Sequence, residues 1–256
     1  MIRDIIAIDT HTHINHGSKY DSEPLSKLYT ATIENLVLIN NAANIDKMFC
    51  STFSSVLSTK EIEKENDFMF ELSLEIPNLY QWVVIDPNNK NTFKQAEKMI
   101  LSNKCVGIKL HPVCHEYSLI EHSDKIFSFA SEYSAIVQIH PEKDADYILP
   151  VADKYEKVKF IMAHMGSFSD ESYANAIEYA KYQNVYADTS GIASSKNMGI
   201  EYVVGRVGSE HILFGTDTYA AGMQRGRIEY ALIADEDKKN ILYNNANKLF
   251  KCINSK

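Results

Sequence analysis

The chain has 256 residues, 45% of them hydrophobic, enough to bury a full core as one α/β barrel or as two small domains. A formal net charge of −8 and a pI near 5.6 argue against a nucleic-acid backbone or an anionic membrane surface as main partner. Cys50, Cys105, Cys114 and Cys252 form no CxxC pair, which suits a reducing cytoplasm, and no apolar run reaches membrane-spanning length.

Strand-like and helix-like stretches alternate from end to end. The apolar run Ile5–Ile8 opens a strand over Ile5–His13, hydrophobic enough to be buried on both faces as in a parallel sheet. The loop His16–Ala31 follows and is a candidate lid. Then come a helix over Thr32–Ile45, a strand over Lys47–Phe53, a helix over Lys60–Ile76, a strand over Tyr80–Asp86 and a helix over Thr92–Ser102. Further strands are expected at Cys105–His111, Ala135–Pro141, Lys159–Met165, Val185–Gly191 and Ile212–Asp217. Helical patterns Leu119–Glu132, Ala145–Tyr155, Asp170–Tyr182 and Asn197–Val207 separate them, and Asp235–Cys252 closes the chain. Eight strand–helix units without a Pro/Gly/Ser linker predict one α/β domain over residues 1–256, a single (β/α)8 TIM barrel.

In such a barrel the active site lies at the C-terminal ends of the strands. Here those ends carry His11 and His13, Lys109 and His111, His140, His164 and Asp217. Residues i and i+2 of a strand share a face, so His11 and His13 emerge side by side, a spacing suited to metal ligation. Asp9 has the same parity and either orients a ligand histidine or closes a barrel layer. Asp188, Thr189 and Ser190 read first as a hydrogen-bonded turn and second as substrate contacts. Arg225 and Arg227 either grip a substrate carboxylate or begin a solvated helix. His16 and His115 are expected to be exposed, and Trp82 to be core.

The segments DTHTH, GIKLHP, VQIHP, FIMAHMG and ILFGTD, in that order, resemble the metal-dependent amidohydrolase superfamily, and within it the amidohydrolase-2 branch that includes aminocarboxymuconate-semialdehyde decarboxylase. The closing segment with Asn245 and Ala246 resembles that branch as well, whereas Tyr219 stands where a proline commonly follows the strand-8 motif. The resemblance implies that His11, His13, His140 and Asp217 hold one divalent metal, with Zn²⁺ first among the candidates. It implies that Asp217 carries a proton, and that His164 bonds the attacking hydroxide or polarises the substrate. It leaves Lys109 open: carboxylated and bridging a second metal, facing substrate alongside His111, or a structural cation beside Asp86 or Asp217. The implied reaction is hydrolysis of a C–N or C–O bond of a small molecule by metal-activated water, the alternative a non-oxidative decarboxylation or hydration on the same site. Neither nucleic acid nor membrane is an expected partner; a homodimer is left open.

Overall fold

The computed structural model describes residues 2–15, 31–142, 145–166, 170–181, 184–191, 195–218 and 220–254. Every residue of the first strand, β1 (Ala7–Ile14), is buried, as a strand covered on both faces must be. Seven more follow: β2 (Ile45–Thr52), β3 (Leu79–Val84), β4 (Cys105–Leu110), β5 (Ile136–Ile139), β6 (Lys159–Met162), β7 (Val185–Asp188) and β8 (Ile212–Leu213). They lie in sequence order and each pairs in parallel with the next. The expected (β/α)8 barrel is the fold.

Between the strands run α1 (Ile33–Ala42), α2 (Phe53–Leu57), α3 (Ile62–Glu75), α4 (Lys90–Met99), α5 (Ser123–Glu132), α6 (Leu149–Lys154), α7 (Asp170–Ala180) and α8 (Gly199–Val207). After β8 come α9 (Ala221–Glu229), α10 (Asp235–Lys239) and α11 (Asn245–Leu249), the last two joined by a π-helical turn at Asn240–Asn244. Sequence patterning misses α2, a short turn in which Thr52 Oγ1 accepts from Ser55 N–H at 3.2 Å. It also misses α9, whose two glycines and scattered charges make no apolar stripe. The Asp235–Cys252 helix ends early, at Leu249. Of the candidate lid, residues 16–30 lie outside the described residues, as do His16 and Tyr219. No helix among the described residues is long and apolar enough to cross a membrane.

The seam between β8 and β1 is held by hydrogen bonds. Thr10 donates its N–H and its hydroxyl to Phe214 O at 2.9 and 2.8 Å, and Asp217 N–H donates to His11 O at 2.7 Å. Asp9 accepts from the N–H and the hydroxyl of Thr216, at 3.1 and 2.6 Å, and from His11 N–H. Asp9 therefore closes the barrel and touches no ligand ring. The β1 register against β2 slips between Asp9 and Thr12, a bulge that re-aims the side chains beyond it.

Two apolar layers result. Outside, Val83, Ile108, Val137 and Phe160 pack against Ile126, Phe127, Ile177 and Val203 from the helices. Inside, the barrel floor is filled by Ile8, Phe49, Trp82, Val106, Ile161 and Leu213, with Ala246 and Phe250 from the chain's end. Trp82 is core, its Nε1–H donating to Thr10 O at 2.9 Å. Asn245 pins α11 to the start of β8 by donating to Ser209 O and Ile212 O at 2.7 and 2.8 Å. Gly107 has φ 151°, and a Cβ there would sit 2.2 Å from Ile136 O, so no other residue lets β4 and β5 approach this closely.

The Phe250 ring lies 4.7 Å from that of Phe49 and 5.7 Å from that of Trp82. Phe250→Ala empties this plug and should cost ~3–5 kcal/mol of stability in denaturant unfolding, the range for such truncations. A loss under about 1 kcal/mol would show that the floor does not depend on it.

Candidate active site

Six strand ends meet above the floor. His11 and His13 belong to β1, Lys109 to β4 and Asp188 to β7, while His140 follows β5, His164 follows β6 and Asp217 lies beyond β8. His11 is 1% exposed. Its Nδ1 lies 3.0 Å from Asp188 Oδ2 and 2.9 Å from Ser190 Oγ, and its Nε2 lies 2.9 Å from Lys109 Nζ and 3.4 Å from Asp217 Oδ1. A carboxylate only accepts, so Nδ1 carries the proton and the Nε2 lone pair faces the site. His13 repeats the arrangement: Nδ1 meets Ser51 Oγ at 3.0 Å, and Nε2 meets Asp217 Oδ1 at 3.2 Å.

Burial lowers the His11 pKa to about 4 and that of His13 in the same direction, so both rings are neutral near pH 7. Burial alone would raise Asp217, but His164, His13 and His11 outweigh it and hold the carboxyl well below its usual range. Two neutral imidazoles and an ionised carboxylate are the donors a divalent cation requires. One ligating atom each from His11, His13 and Asp217 lies within 4.8 Å of the others, and the His11–His164–Asp188 group meets the same limit. The residues present fit a metal ion.

His140 is not drawn into either group. Its Nδ1 lies 3.2 Å from His164 Nε2, and its ring stacks on His111 at 4.0 Å, so the expected fourth ligand stands at the rim. His164 has φ 56° and ψ 32°, and Asp217 has φ 54°, left-handed conformations that cost a non-glycine residue energy. Asp188 Oδ1 accepts from His164 N–H at 3.1 Å, and Ser190 Oγ lies 2.9 Å from His164 Nδ1. The turn is thus fixed by Asp188 and Ser190, which position histidines rather than merely ending a strand. Gly215 makes room for the approach of β1 and β7 here, since a Cβ there would fall 2.9 Å from His11 Cβ and 3.3 Å from Ser190 Cβ.

Lys109 is 1% exposed, and the Asp217 and Asp188 carboxylates partly offset the burial that lowers its pKa. Its Nζ donates to His11 Nε2 and to Gln138 Oε1 at 3.1 Å, and burial brings its pKa down to about 8. Gln138 in turn donates to Asp188 Oδ2 at 3.1 Å and Thr10 O at 3.2 Å. Sequence reasoning missed Gln138 and Ser51; the signal for Gln138 was its position two residues before His140, which gives it the same strand face.

Other expectations are corrected. Arg225 does not face substrate: its guanidinium donates to Asn44 O at 3.0 Å and Ile5 O at 2.7 Å and pairs with Glu229 at 2.7 Å, at the start of β1 and β2. A buried guanidinium needs such acceptors, and these lie at the opposite end of the barrel from the histidines. Arg227 pairs with Glu201, joining α9 to α8. His115 is buried, not exposed, with Nε2 3.0 Å from Ser55 O. His111 is buried beside it, its Nδ1 accepting from Cys114 N–H at 3.2 Å.

A parallel barrel with imidazoles and an ionised aspartate gathered at its C-terminal rim defines a divalent-metal TIM-barrel enzyme. The chain belongs to the amidohydrolase family of the amidohydrolase-2 type, whose model matches residues 8–252. The fold is similar to 5-carboxyvanillate decarboxylase from Sphingomonas paucimobilis, with TM-score 0.73 and 14% identity over 97% of this chain and 99% of that one. It is similar to 2,6-dihydroxybenzoate decarboxylase from Rhizobium, with TM-score 0.75 and 14% identity over 96% and 98% of the two chains. A dihydroxybenzoic acid decarboxylase from Polaromonas sp. JS666, solved with manganese and 2-nitroresorcinol, gives TM-score 0.73 and 17% identity over 98% of each chain. No curated protein matches the sequence at a significant level.

Two outcomes are expected. The purified protein should bind about one divalent ion per chain, and His13→Ala should abolish it in elemental analysis because chelation needs both arms of the pair. In the metal-free protein, stability should fall on acidification. His11 titrates at about 4 folded against 6.5 unfolded, so the unfolded chain takes up more protons in that window. Between pH 6.5 and 4 this histidine alone should remove roughly 3 kcal/mol. Denaturant midpoints that do not move across the window would contradict the burial of neutral imidazoles.

Proposed function

We propose that the chain is a metal-dependent decarboxylase acting without redox chemistry on a small aromatic or otherwise unsaturated carboxylate. The observation that carries this reading is the buried Lys109 ammonium 2.9 Å from His11 Nε2, beside a ligand set already suited to a cation. With a divalent ion loaded, that ammonium and the ion together would exceed the charges of Asp188 and Asp217, and a dry rim of that sign attracts and desolvates a carboxylate. The near end-to-end likeness to decarboxylases supports it, and favours this reaction over the hydrolysis that the motifs put first.

His11, His13 and Asp217 would hold the ion, with His140 the remaining imidazole on the same rim. When bound it would supply Lewis acidity and a fixed positive charge for substrate oxygens. Three imidazoles and a carboxylate suit Zn²⁺, and Mn²⁺, present in the Polaromonas enzyme, is the competing choice. Decarboxylation breaks the bond from the carboxylate carbon, leaves its electron pair on the remaining carbon and needs one proton there. R–COO⁻ plus H⁺ thus gives R–H and CO₂. Asp217, beside His11 and His13, is the proton carrier in this proposal. His164, bonded through Nε2 to His140, orients the substrate, and Lys109, charged below about pH 8, supplies positive potential beneath it. His111, stacked on His140, lines the substrate side. Residues 1–256 are read as one catalytic domain serving a dissolved small molecule in the cytoplasm, as a monomer or homodimer.

Metal-loaded protein incubated with 2,6-dihydroxybenzoate or 5-carboxyvanillate should release CO₂. Turnover of hydantoins or lactams, with no CO₂ from any carboxylate tried, would overturn the proposal in favour of hydrolysis. Asp217→Asn, loaded with saturating metal, should keep substantial ion yet lose at least ~100-fold in kcat, because an amide neither accepts nor delivers a proton. Near-normal turnover by that variant would rule out the proton-carrying role.

A further inference from the structure

At the end of the barrel opposite the histidines, a cleft of about 510 Å³ opens between the starts of β4, β5, β6 and β7 and the chain's closing helix. The closing segment plugs one side of the floor, where Phe250 packs on Phe49 and Trp82. On the other side Ile136 and Tyr186 stay half-buried, while Ile8, Ile161 and Leu213 are fully covered. The walls are therefore partly aromatic and aliphatic, with Tyr133 and Tyr186 both contributing. Tyr186 is held from behind by His211, whose ring stacks on it at 4.6 Å and 9°.

The charged side chains lining this cleft are of one sign, with Glu97 beyond the lining accepting from the Tyr133 hydroxyl at 3.2 Å. Lys157, Lys159, Lys248 and Lys251 line it, and no aspartate or glutamate does among the described residues. This occurs in a chain with 34 acidic and 26 basic residues, so the charge of the lining opposes the sign of the whole molecule. A concave apolar wall rimmed by charges of one sign concentrates ligands of the opposite sign. The volume suits a small organic molecule, and flat tyrosine walls favour a flat body.

We propose that this cleft is a second binding site, separate from the catalytic rim, for a small aromatic carboxylate. The ring would lie along Tyr133 and Tyr186, with the carboxylate among the lysine ammonium groups. The proposal does not depend on which reaction the other end of the barrel performs.

Isothermal titration of the metal-loaded full chain with 1-naphthoate tests it, with inorganic phosphate as the charge-only probe and 1-naphthylmethylamine as the cationic one. Saturable binding of naphthoate is expected, tighter than phosphate, with none for the amine. Lys157→Glu combined with Lys248→Glu should weaken naphthoate binding at least ~10-fold. Both lysines are exposed, so the far-ultraviolet dichroism and melting curve should be those of the parent. Added salt should weaken binding further. An unchanged naphthoate affinity in the double variant would place the ligand elsewhere, at the catalytic rim, and overturn the proposal. Absence of saturable binding, or phosphate binding as tightly as naphthoate, would overturn it as well.

Discussion

The candidate site is organised around one buried carboxylate. Asp188 is fully buried at the end of β7, where burial alone would raise its pKa, yet the His11 ring and its hydrogen bond, the nearby His164 and the Ser190 hydroxyl hold it well below the carboxylate range. It gathers His11 Nδ1, Gln138 Nε2, and the backbone N–H groups of His164 and Ser190. A charge with this many donors stays ionised without water. Because it only accepts, it fixes the His11 tautomer, frees Nε2 for the site and anchors the turn that carries His164. Losing it would unsettle two strands' worth of chemistry at once.

Backbone strain gathers at the candidate site. His164 and Met165 after β6, and Asp217 and Thr218 after β8, all take left-handed backbone conformations. Each such residue costs on the order of 1–3 kcal/mol and persists only where its surroundings overdetermine it. At Asp217 the restraint is the N–H bond to His11 O, backed by Thr218 Oγ1, which donates to His13 O at 2.6 Å. The bonds that close the barrel at β8 are thus the bonds that aim Asp217 at the histidines. Fold closure and site assembly are one event.

The electrostatic economy is equally connected. Lys109 would be costly in a dry barrel without acceptors, and it finds two, the Nε2 lone pair of His11 and the amide oxygen of Gln138. Gln138 then passes its own N–H bonds to Asp188 and Thr10, so the cation on β4 is linked to the anion on β7 through β5. Such a network holds its members at fixed separations.

Most of the architecture and the rim histidines were legible from the chain alone. Alternating apolar runs and helical patterns define β/α units, and the side-chain period of a strand puts His11 beside His13 whatever the rest of the chain does. Those are local properties, carried by a few neighbouring residues. Helix α9 was not legible, because packing against α1 and the start of β1, through Arg225, sustains it rather than an apolar stripe. Nor was the role of Arg225 itself, since two ends of one barrel look alike until the chain is wound. The tertiary structure alone decided that Asp9 seals the seam, that Asp188 positions two histidines, that Ser51 and Gln138 belong to the site, and that His140 turns toward His164. Each of these depends on hydrogen bonds between residues dozens to some two hundred positions apart, and only barrel closure brings such partners within reach.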